Sequence, residues 1–164
     1  MKKKIITAAI VNVVAYFNQI NPDVMKALPT KMRWNIRKNM GKFIPIAKEF
    51  EDFRNDLVKE LQEEWFTEDK SELFTQEKVD ANGNPILDAN GNVETEEMRR
   101  IRQKYMDEYN KAVSEVNSKL SDILMEVNEI EIVPIDIDAF VDTMPDDSPV
   151  TFDDLDVLSI FQEE

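Results

Sequence analysis

Apolar side chains recur every three, four or seven residues between residues 30 and 65, and this spacing is the strongest structural constraint in the sequence. The stripe consists of Ile36, Met40, Phe43, Ala47, Phe50, Leu57, Leu61 and Trp65. Residues at these separations share one face of an α-helix, so the pattern predicts a long helix with one buried face. Pro45 lies inside the pattern. Because proline removes a backbone donor and clashes with the preceding turn, we expect a kink or a break between Ile44 and Pro45.

A second stripe of the same kind follows residue 94. It consists of Met98, Ile101, Tyr105, Tyr109, Ala112, Val116, Leu120, Ile123 and Val127. Thr95 is placed as an N-cap, and Glu96 and Glu97 would lie in the first turn, where the helix dipole favours acidic groups. Two long helices joined by a compact insertion most simply form an antiparallel helical hairpin.

The insertion, residues 67–93, contains a near-repeat. The segment Asp80-Ala81-Asn82-Gly83-Asn84 returns eight residues later as Asp88-Ala89-Asn90-Gly91-Asn92. Asn-Gly adopts positive φ at low cost, so each copy predicts a tight turn, and together they predict a small β-hairpin or meander at the tip of the helical hairpin. The glycine stands at the fourth position of each copy, whereas a calcium loop of the EF-hand type needs it at the sixth. Turn formation is therefore the preferred interpretation.

The two ends of the chain complete the predicted fold. Residues 5–20 are apolar nearly all round, which predicts a buried first helix. Isoleucines alternate with acidic residues from 130 to 137, which predicts a strand confined to an edge or a bulge by Pro134. One helical turn at 138–141 and a final helix beginning near Thr151 or Asp153 follow. We thus expect a mainly α single domain: N-terminal helices over 1–66, the turn-rich insertion 67–93, a long helix over 94–128, and an acidic strand and helix over 129–164.

Charge is distributed unevenly. The 34 acidic and 20 basic residues give a net charge of −14, yet residues 1–48 contain ten basic side chains and one acid, and residues 120–164 contain 14 acids and neither Lys nor Arg. The simplest interpretation is that the basic N-terminal part packs near the acidic end and offsets its repulsion. A nucleic-acid partner is not expected, because the field of the whole protein opposes it.

The composition excludes several classes of chemistry. The chain has no histidine and no cysteine, which removes disulfide scaffolds, thiolate zinc sites, Cys or Ser–His nucleophile pairs and imidazole proton shuttles. Only three glycines are present, and no phosphate-binding loop is formed from them. Acidic pairs are frequent, but nothing singles one out as buried. We therefore expect no catalytic residue, no metal ligand and no cofactor, and hence a non-enzymatic protein.

Two groups of residues are candidates for partner binding. Trp34 is predicted to lie opposite the apolar stripe of its helix, with Lys31 and Lys38 beside it, which suits an interaction hot spot. The preferred interpretation, however, is that Trp34 packs against the first helix, which would leave nothing of it for a partner. The second group is acidic and is placed in the C-terminal third, where spaced carboxylates would imitate the phosphates of a nucleic acid or simply form an ordinary solvated face. It consists of Asp146, Asp147, Asp153 and Asp154.

The first residues invite comparison with a signal peptide, because three lysines precede an apolar run. A small-residue cleavage site does not follow, and the run is too short to span a membrane comfortably. We expect a cytoplasmic protein with no membrane partner.

The apolar stripes of the two long helices also bear on oligomeric state. If they expose more apolar surface than the two ends of the chain cover, a second copy should pack against the uncovered surface, giving a homodimer.

The chain contains three segments in a recognisable order: residues 28–31 (LPTK), residues 50–57 (FEDFRNDL) and residues 80–86 (DANGNPI), followed by Ile130-Glu131-Ile132 and a late Leu-rich helix. This order resembles small proteins encoded by tailed phages and prophages of low-GC Gram-positive bacteria. The doubled turn departs from the single turn expected of such proteins. The resemblance implies a phage accessory protein of the helical-hairpin type, located in the host cytoplasm or associated with the virion. It acts by binding a phage or host protein, most simply during particle morphogenesis; the alternative is an anti-defence inhibitor that presents its acidic surface to a host protein.

Overall fold

The fold is described for residues 1–162, from a computed structural model of the protein. It is 57% helical with two small antiparallel sheets, which confirms the predicted mainly α class with minor β content. The chain divides into two compact units. The first consists of Met1–Arg54 together with the chain from Lys119 onward, and the second is Asn55–Ser118. The prediction of a single domain stays a prediction, because a compact unit need not fold independently.

The first unit combines the two ends of the chain. In chain order its elements are β1 (Lys2–Ile6), α1 (Thr7–Gln19), α2 (Pro22–Ala27), the first part of α3 (Thr30–Trp65), the end of α4 (Met106–Leu124), β4 (Val127–Glu131), α5 (Ile137–Val141) and α6 (Phe152–Leu158). A 3₁₀ turn, Ser159–Phe161, follows α6. Strands β1 and β4 pair antiparallel, with Lys2 opposite Glu131 and Lys4 opposite Glu129. Opposite charges directly across a ladder stabilise it, so the basic start and the acidic end of the chain compensate each other here.

The core of the first unit is built from aliphatic side chains around a group of aromatic rings. Phe43, Phe140 and Phe161 are fully buried, and the ring centroids of Phe17 and Phe161 lie 6.0 Å apart in an edge-to-face arrangement. Ile5, Ile10 and Val13 of the N-terminal segment, and Ile130, Ile132 and Leu158 of the C-terminal segment, belong to the same core. The core therefore depends on contacts between residues more than 100 positions apart in sequence.

Asn39 connects α3 to the segment that follows β4. Its side chain is fully buried, yet both of its polar atoms have a partner: Nδ2 donates to the carbonyl of Val133 at 2.7 Å, and Oδ1 accepts from the Val133 N–H at 2.8 Å. One turn earlier, Asn35 Nδ2 donates to the carbonyl of Pro134 at 3.2 Å. The Asn39 amide thus supplies both bonds that a neighbouring strand would have made with Val133.

Removing this amide should destabilise the first unit. Asn39→Ala loses two hydrogen bonds and leaves the N–H and C=O of the half-buried Val133 without their partner, so we expect a loss of about 2–4 kcal/mol in the free energy of unfolding. Urea denaturation followed by circular dichroism measures it. Asn35→Ala is the matched control, since it removes one longer bond at a half-buried site. A loss for Asn39→Ala no larger than that of the control would contradict this account of the contact.

The second unit contains a β-arm between the end of α3 and the start of α4. Strands β2 (Ser71–Glu77) and β3 (Thr95–Ile101) pair antiparallel, from Ser71 opposite Ile101 to Glu77 opposite Thr95. At its base, Trp65 is buried and meets Tyr109 edge-to-face, with ring centroids 5.8 Å apart. Between the strands, two short loops are closed by isolated bridges, Val79 to Pro85 and Leu87 to Val93.

Several boundaries differ from those predicted by the sequence. The second long helix does not begin at Thr95: residues 95–101 form β3, a 3₁₀ turn covers Gln103–Tyr105, and α4 begins at Met106. The residues form a strand despite their helical and capping pattern, because pairing with β2 stabilises them. Part of this pairing is an ion pair across the ladder, in which Arg100 Nε lies 2.8 Å from Glu72 Oε1. Likewise the first helix begins at Thr7, since Lys2–Ile6 is drawn into a sheet by β4.

Two further expectations concern prolines. The helix is not broken at Pro45, and α3 is continuous from Thr30 to Trp65. Because Pro45 has no N–H, the carbonyl of Gly41 lacks its helical hydrogen-bond donor. Both residues lie on the exposed face of α3, so water can donate to that carbonyl instead. In the C-terminal part, β4 ends at Glu131, before Pro134, because the Asn39 amide takes the place of a strand partner beyond that point. The predicted helical turn near 138–141 and the final helix capped by Thr151 are confirmed.

Candidate functional site

The outward face of α3 carries a concentration of positive charge. Met32, Ile36, Asn39 and Phe43 are buried, and a rotation of about 100° per residue places the opposite face toward solvent. Residues 30–48 contain six basic side chains and no acidic one. We call the following exposed residues the Trp34 surface: Lys31, Arg33, Trp34, Arg37, Lys38, Lys42 and Lys48.

Trp34 lies in the first turns of α3 and is 56% exposed. The preferred interpretation, in which packing against the first helix leaves nothing of Trp34 for a partner, is therefore wrong. The ammonium group of Lys38 lies 5.5 Å from the centre of the Trp34 ring, within the range of a cation–π interaction. Lys31, one turn earlier, lines a groove of about 360 Å³ together with Pro134 and Asp136. The three predicted residues therefore share one exposed face.

The positive charge of the Trp34 surface is not compensated within the described chain. Among residues 1–162, no carboxylate lies within 4.0 Å of a basic group of this surface. Lys42 instead donates to the main-chain carbonyl of Glu131, and Arg33 to the Thr30 hydroxyl at 3.3 Å. The predicted packing of the basic N-terminal part near the acidic end is thus confirmed by the pairing of β1 with β4 and by the contacts of α3 with residues 131–134, although the described residues form no ion pair at either place.

The four acidic candidates have different surroundings. Asp147 and Asp154 line one cleft of about 550 Å³, which Tyr16 and Met144 also line. Asp154 also closes a capping box: its carboxylate accepts from the Thr151 N–H at 2.8 Å, and its own N–H donates to the Thr151 hydroxyl at 3.2 Å. Asp146 and Asp153 are exposed and do not line the cleft. The structure therefore brings two of the four together.

The Tyr16 phenol is the perturbed titratable group of this cleft. Burial, and secondarily the negative charge of Asp154, raise its pKa to about 12. The phenol therefore stays protonated at neutral pH and can donate a hydrogen bond into the cleft.

The two repeated turns adopt one geometry. Gly83 and Gly91 have φ of 83° and 82°, which glycine adopts without strain. Asp80 Oδ1 accepts from the N–H groups of Asn82 and Asn84 at 2.8 and 2.9 Å, and Asp88 Oδ1 makes the equivalent bonds to residues 90 and 92. Each carboxylate is thus used in its own turn, which confirms the turn interpretation of the repeat.

These hydrogen bonds predict a titration. The N–H groups of Asn84 and Asn82 lower the pKa of Asp80, as those of Asn92 and Asn90 lower that of Asp88. Because the folded-state pKa lies below the unfolded value of about 4, the contribution to the turn is present above that pH and is lost as pH falls through the folded value. We expect the Asn82 and Asn84 amide resonances to titrate with a midpoint below 4 in two-dimensional NMR. In Asp80→Asn this titration should vanish while that of the Asp88 turn persists; an unchanged profile would contradict the assignment.

Sequence reasoning missed two features. Asn39 falls among the apolar positions of α3 and was not recognised as buried, although a polar residue within a buried stripe signals such a contact. The exposed apolar side chains of the β-arm were also missed: Leu73, Val79, Ile86, Leu87, Val93 and Met98. For Met98 the reason is that residues 95–101 were interpreted as helix, whereas Leu73 lies in β2 and the other four lie in the loops between the strands.

Comparisons with known proteins leave the family open. The chain matches no protein-family model, and neither a curated protein nor a solved structure is significantly similar to it. Within residues 1–162, no group of three or more Asp and Glu side chains is arranged to hold a metal ion. None of the helices in the described part of the chain is both long and apolar enough to cross a membrane.

The charge around Trp34 predicts selective fluorescence quenching. In Trp65→Phe, which leaves Trp34 as the single tryptophan, iodide should quench the emission more strongly than caesium, because basic side chains concentrate anions near the ring. The difference should shrink in Lys31→Glu/Lys38→Glu made in the same background, and at high salt. Neutral acrylamide is the control for accessibility. Equal quenching by both ions at low salt would contradict the proposed local field.

Proposed function

We propose that this chain works by binding another protein, without a reaction of its own, and that the Trp34 surface contacts an acidic segment of that partner. The observation that carries the proposal is an exposed tryptophan, held beside Lys38, on a helix face whose basic groups have no described carboxylate within 4.0 Å. Tryptophan and basic side chains with this exposure are typical of binding hot spots.

The physical argument concerns what the surface gains on binding. A basic group that is already paired must lose one partner to gain another, whereas the groups of the Trp34 surface gain Coulomb energy without that loss. The ring offers a large rigid apolar area at low entropic cost, and Lys38 already restricts its orientation. An acidic partner segment with an apolar side chain at its centre fits both properties.

The biological setting rests on the resemblance to phage proteins. We propose a phage accessory protein that acts during particle morphogenesis in the host cytoplasm, or stays associated with the virion. An antiparallel arrangement of α3 and α4 as a long helical hairpin is part of this proposal. The partner would then be a tail, portal or capsid component with an accessible acidic segment.

An anti-defence inhibitor is the second candidate, and the acidic residues favour it. Asp147 and Asp154 line one cleft beside Tyr16, while Asp153 and its neighbour Phe152 are exposed, Phe152 at 89%. A host protein that binds nucleic acid would meet carboxylates without any basic side chain from residue 120 onward. In this second candidate the acidic residues contact the partner, whereas in the first candidate the Trp34 surface does.

A charge-reversal comparison tests the two candidates. Tagged wild type, Lys31→Glu/Lys38→Glu and Lys111→Glu/Lys119→Glu are used for affinity capture from nuclease-treated phage-infected lysate, with quantitative mass spectrometry. Both variants change the net charge equally, and all four lysines are exposed, so the second variant is a matched control. We expect the Trp34-surface variant to retain about a tenth or less of a phage structural protein that the control retains.

Each other result has a defined meaning. Capture of a host defence protein that Asp147→Lys/Asp153→Lys abolishes, with Lys31→Glu/Lys38→Glu unaffected, would replace the first candidate with the second. Equal capture by wild type and all variants would contradict both, because neither surface would then carry the binding. Trp34→Ala, which removes an exposed ring and should leave stability nearly unchanged, checks that any loss comes from the surface itself.

A further inference from the structure

The outer edge of β3 has free main-chain hydrogen-bonding groups. The ladder between β2 and β3 is flanked by two hydrogen bonds of 2.9 Å, from Arg102 N–H to the Lys70 carbonyl and from Lys78 N–H to the Glu94 carbonyl. Hydrogen-bonded and non-hydrogen-bonded pairs alternate along an antiparallel ladder, so the even-numbered residues of β3 bond to β2. The odd-numbered residues direct their N–H and C=O groups to the opposite side: Thr95, Glu97, Arg99 and Ile101. Within residues 1–162, no other strand pairs with that side.

The charges along β3 change sign at its midpoint: two acidic residues come before Met98 and two basic residues come after it. Glu96 and Glu97 precede Met98, and Arg99 and Arg100 follow it. A strand with this order is complementary to a second copy of itself that runs in the opposite direction. Neither Glu97 nor Arg99 has an opposite charge across its own hairpin, since Glu97 faces Thr75 and Arg99 faces Leu73. The half-buried Arg99 donates one hydrogen bond of 3.0 Å to the Ser71 hydroxyl, which leaves the other N–H groups of its guanidinium for a carboxylate.

We propose that β3 pairs antiparallel with β3 of a second copy of this chain, about a twofold axis through Met98. In this register Glu97 lies opposite Arg99 of the second copy, Glu96 lies opposite its Arg100, and the two Met98 side chains meet. The arms of both copies then form one four-stranded antiparallel sheet.

The hydrogen-bond alternation selects this register independently of charge. A new antiparallel pair on the outer edge must join odd-numbered residues to odd-numbered residues, because only these offer outward N–H and C=O groups. The pairing of 97 with 99 meets this condition and places Met98 at a non-hydrogen-bonded position on the axis. Moving the register by two residues in either direction keeps the hydrogen bonds but brings Glu97 opposite itself, or Arg99 opposite itself, and like charges directly across a ladder destabilise it.

The surroundings of β3 also favour a second copy. A two-stranded hairpin is marginally stable alone in water, and an open edge is a template for strand addition. Met98 is 41% exposed and Leu73 is 52% exposed, so the arm presents apolar area that a wider sheet would cover. The net charge of −14 opposes association of two copies, but at physiological ionic strength this repulsion is screened beyond about 8 Å, whereas the cross-strand pairs act at contact.

A pair of charge reversals tests the register. In Glu97→Arg, the new arginine of each copy lies opposite Arg99 of the other copy, and in Arg99→Glu, the new glutamate of each copy lies opposite Glu97 of the other. Both variants thus place like charges opposite each other at two positions. Each variant alone should therefore dimerise at least about tenfold more weakly than wild type. Mixed together, the two variants restore every opposite-charge pair and should form a heterodimer. Sedimentation equilibrium reports the mass against 19.1 kDa for the monomer. Glu77→Arg, on the other strand of the same arm, is the matched control and should dimerise as wild type does.

The outcomes separate this proposal from its alternatives. Wild type that stays at the monomer mass at several hundred micromolar overturns it, as does a dimer that neither reversal weakens, which would point to the helix-mediated dimer expected from the apolar stripes. Failure of the mixture to recover the dimer overturns the register through Met98. Circular dichroism of each variant checks folding. Because β3 belongs to the second unit and the Trp34 surface to the first, either proposal can fail without the other.

Discussion

The contact between the Asn39 side chain and the Val133 main chain is the interaction on which the first unit depends most. It joins the middle of α3 to the segment after β4, which contributes Ile132, Ile135 and Ile137 to the core. The side chain is fully buried and both of its hydrogen bonds go to one residue, so together with the buried Met32, Ile36 and Phe43 it holds one face of α3 toward the core. That orientation decides which side chains face solvent, and so it decides that Trp34 and its basic neighbours point outward.

Electrostatics in this chain follow from where its ends meet. Lysines of β1 lie opposite glutamates of β4, so part of the charge asymmetry is compensated within one sheet. The acid-free stretch of α3 contacts the main chain of residues 131–134 through Lys42 and the two asparagines, and among residues 1–162 none of its basic groups pairs with a carboxylate. A surplus of positive charge thus remains on a strongly acidic protein, and a local surplus of this kind is where an acidic partner gains most.

The sequence predicted the features that depend on local pattern. The stripe of α3, the two Asn-Gly turns and the Thr151 cap follow from spacing and turn chemistry, and the position of Trp34 opposite the stripe follows from helical geometry. Its exposure was not predicted, because packing against the first helix was the preferred interpretation. Features set by distant pairing were not predictable: Lys2–Ile6 becomes a strand because residues 127–131 lie beside it, and Thr95–Ile101 does so because of β2. Asn39 was missed for the same reason, since its partner lies 94 positions away.

Amide hydrogen exchange at Val133 tests the central claim most directly. If the side-chain carbonyl of Asn39 keeps its hydrogen bond from the Val133 N–H, this amide can exchange only when the whole first unit unfolds. Val133 should then exchange as slowly as Phe43 of α3. The Asn39 side-chain amide protons should show the same slow exchange. Exchange of Val133 at the rate of an exposed loop residue such as Ser148 would contradict the account, because the orientation of α3 and of the Trp34 surface would then lack its main constraint.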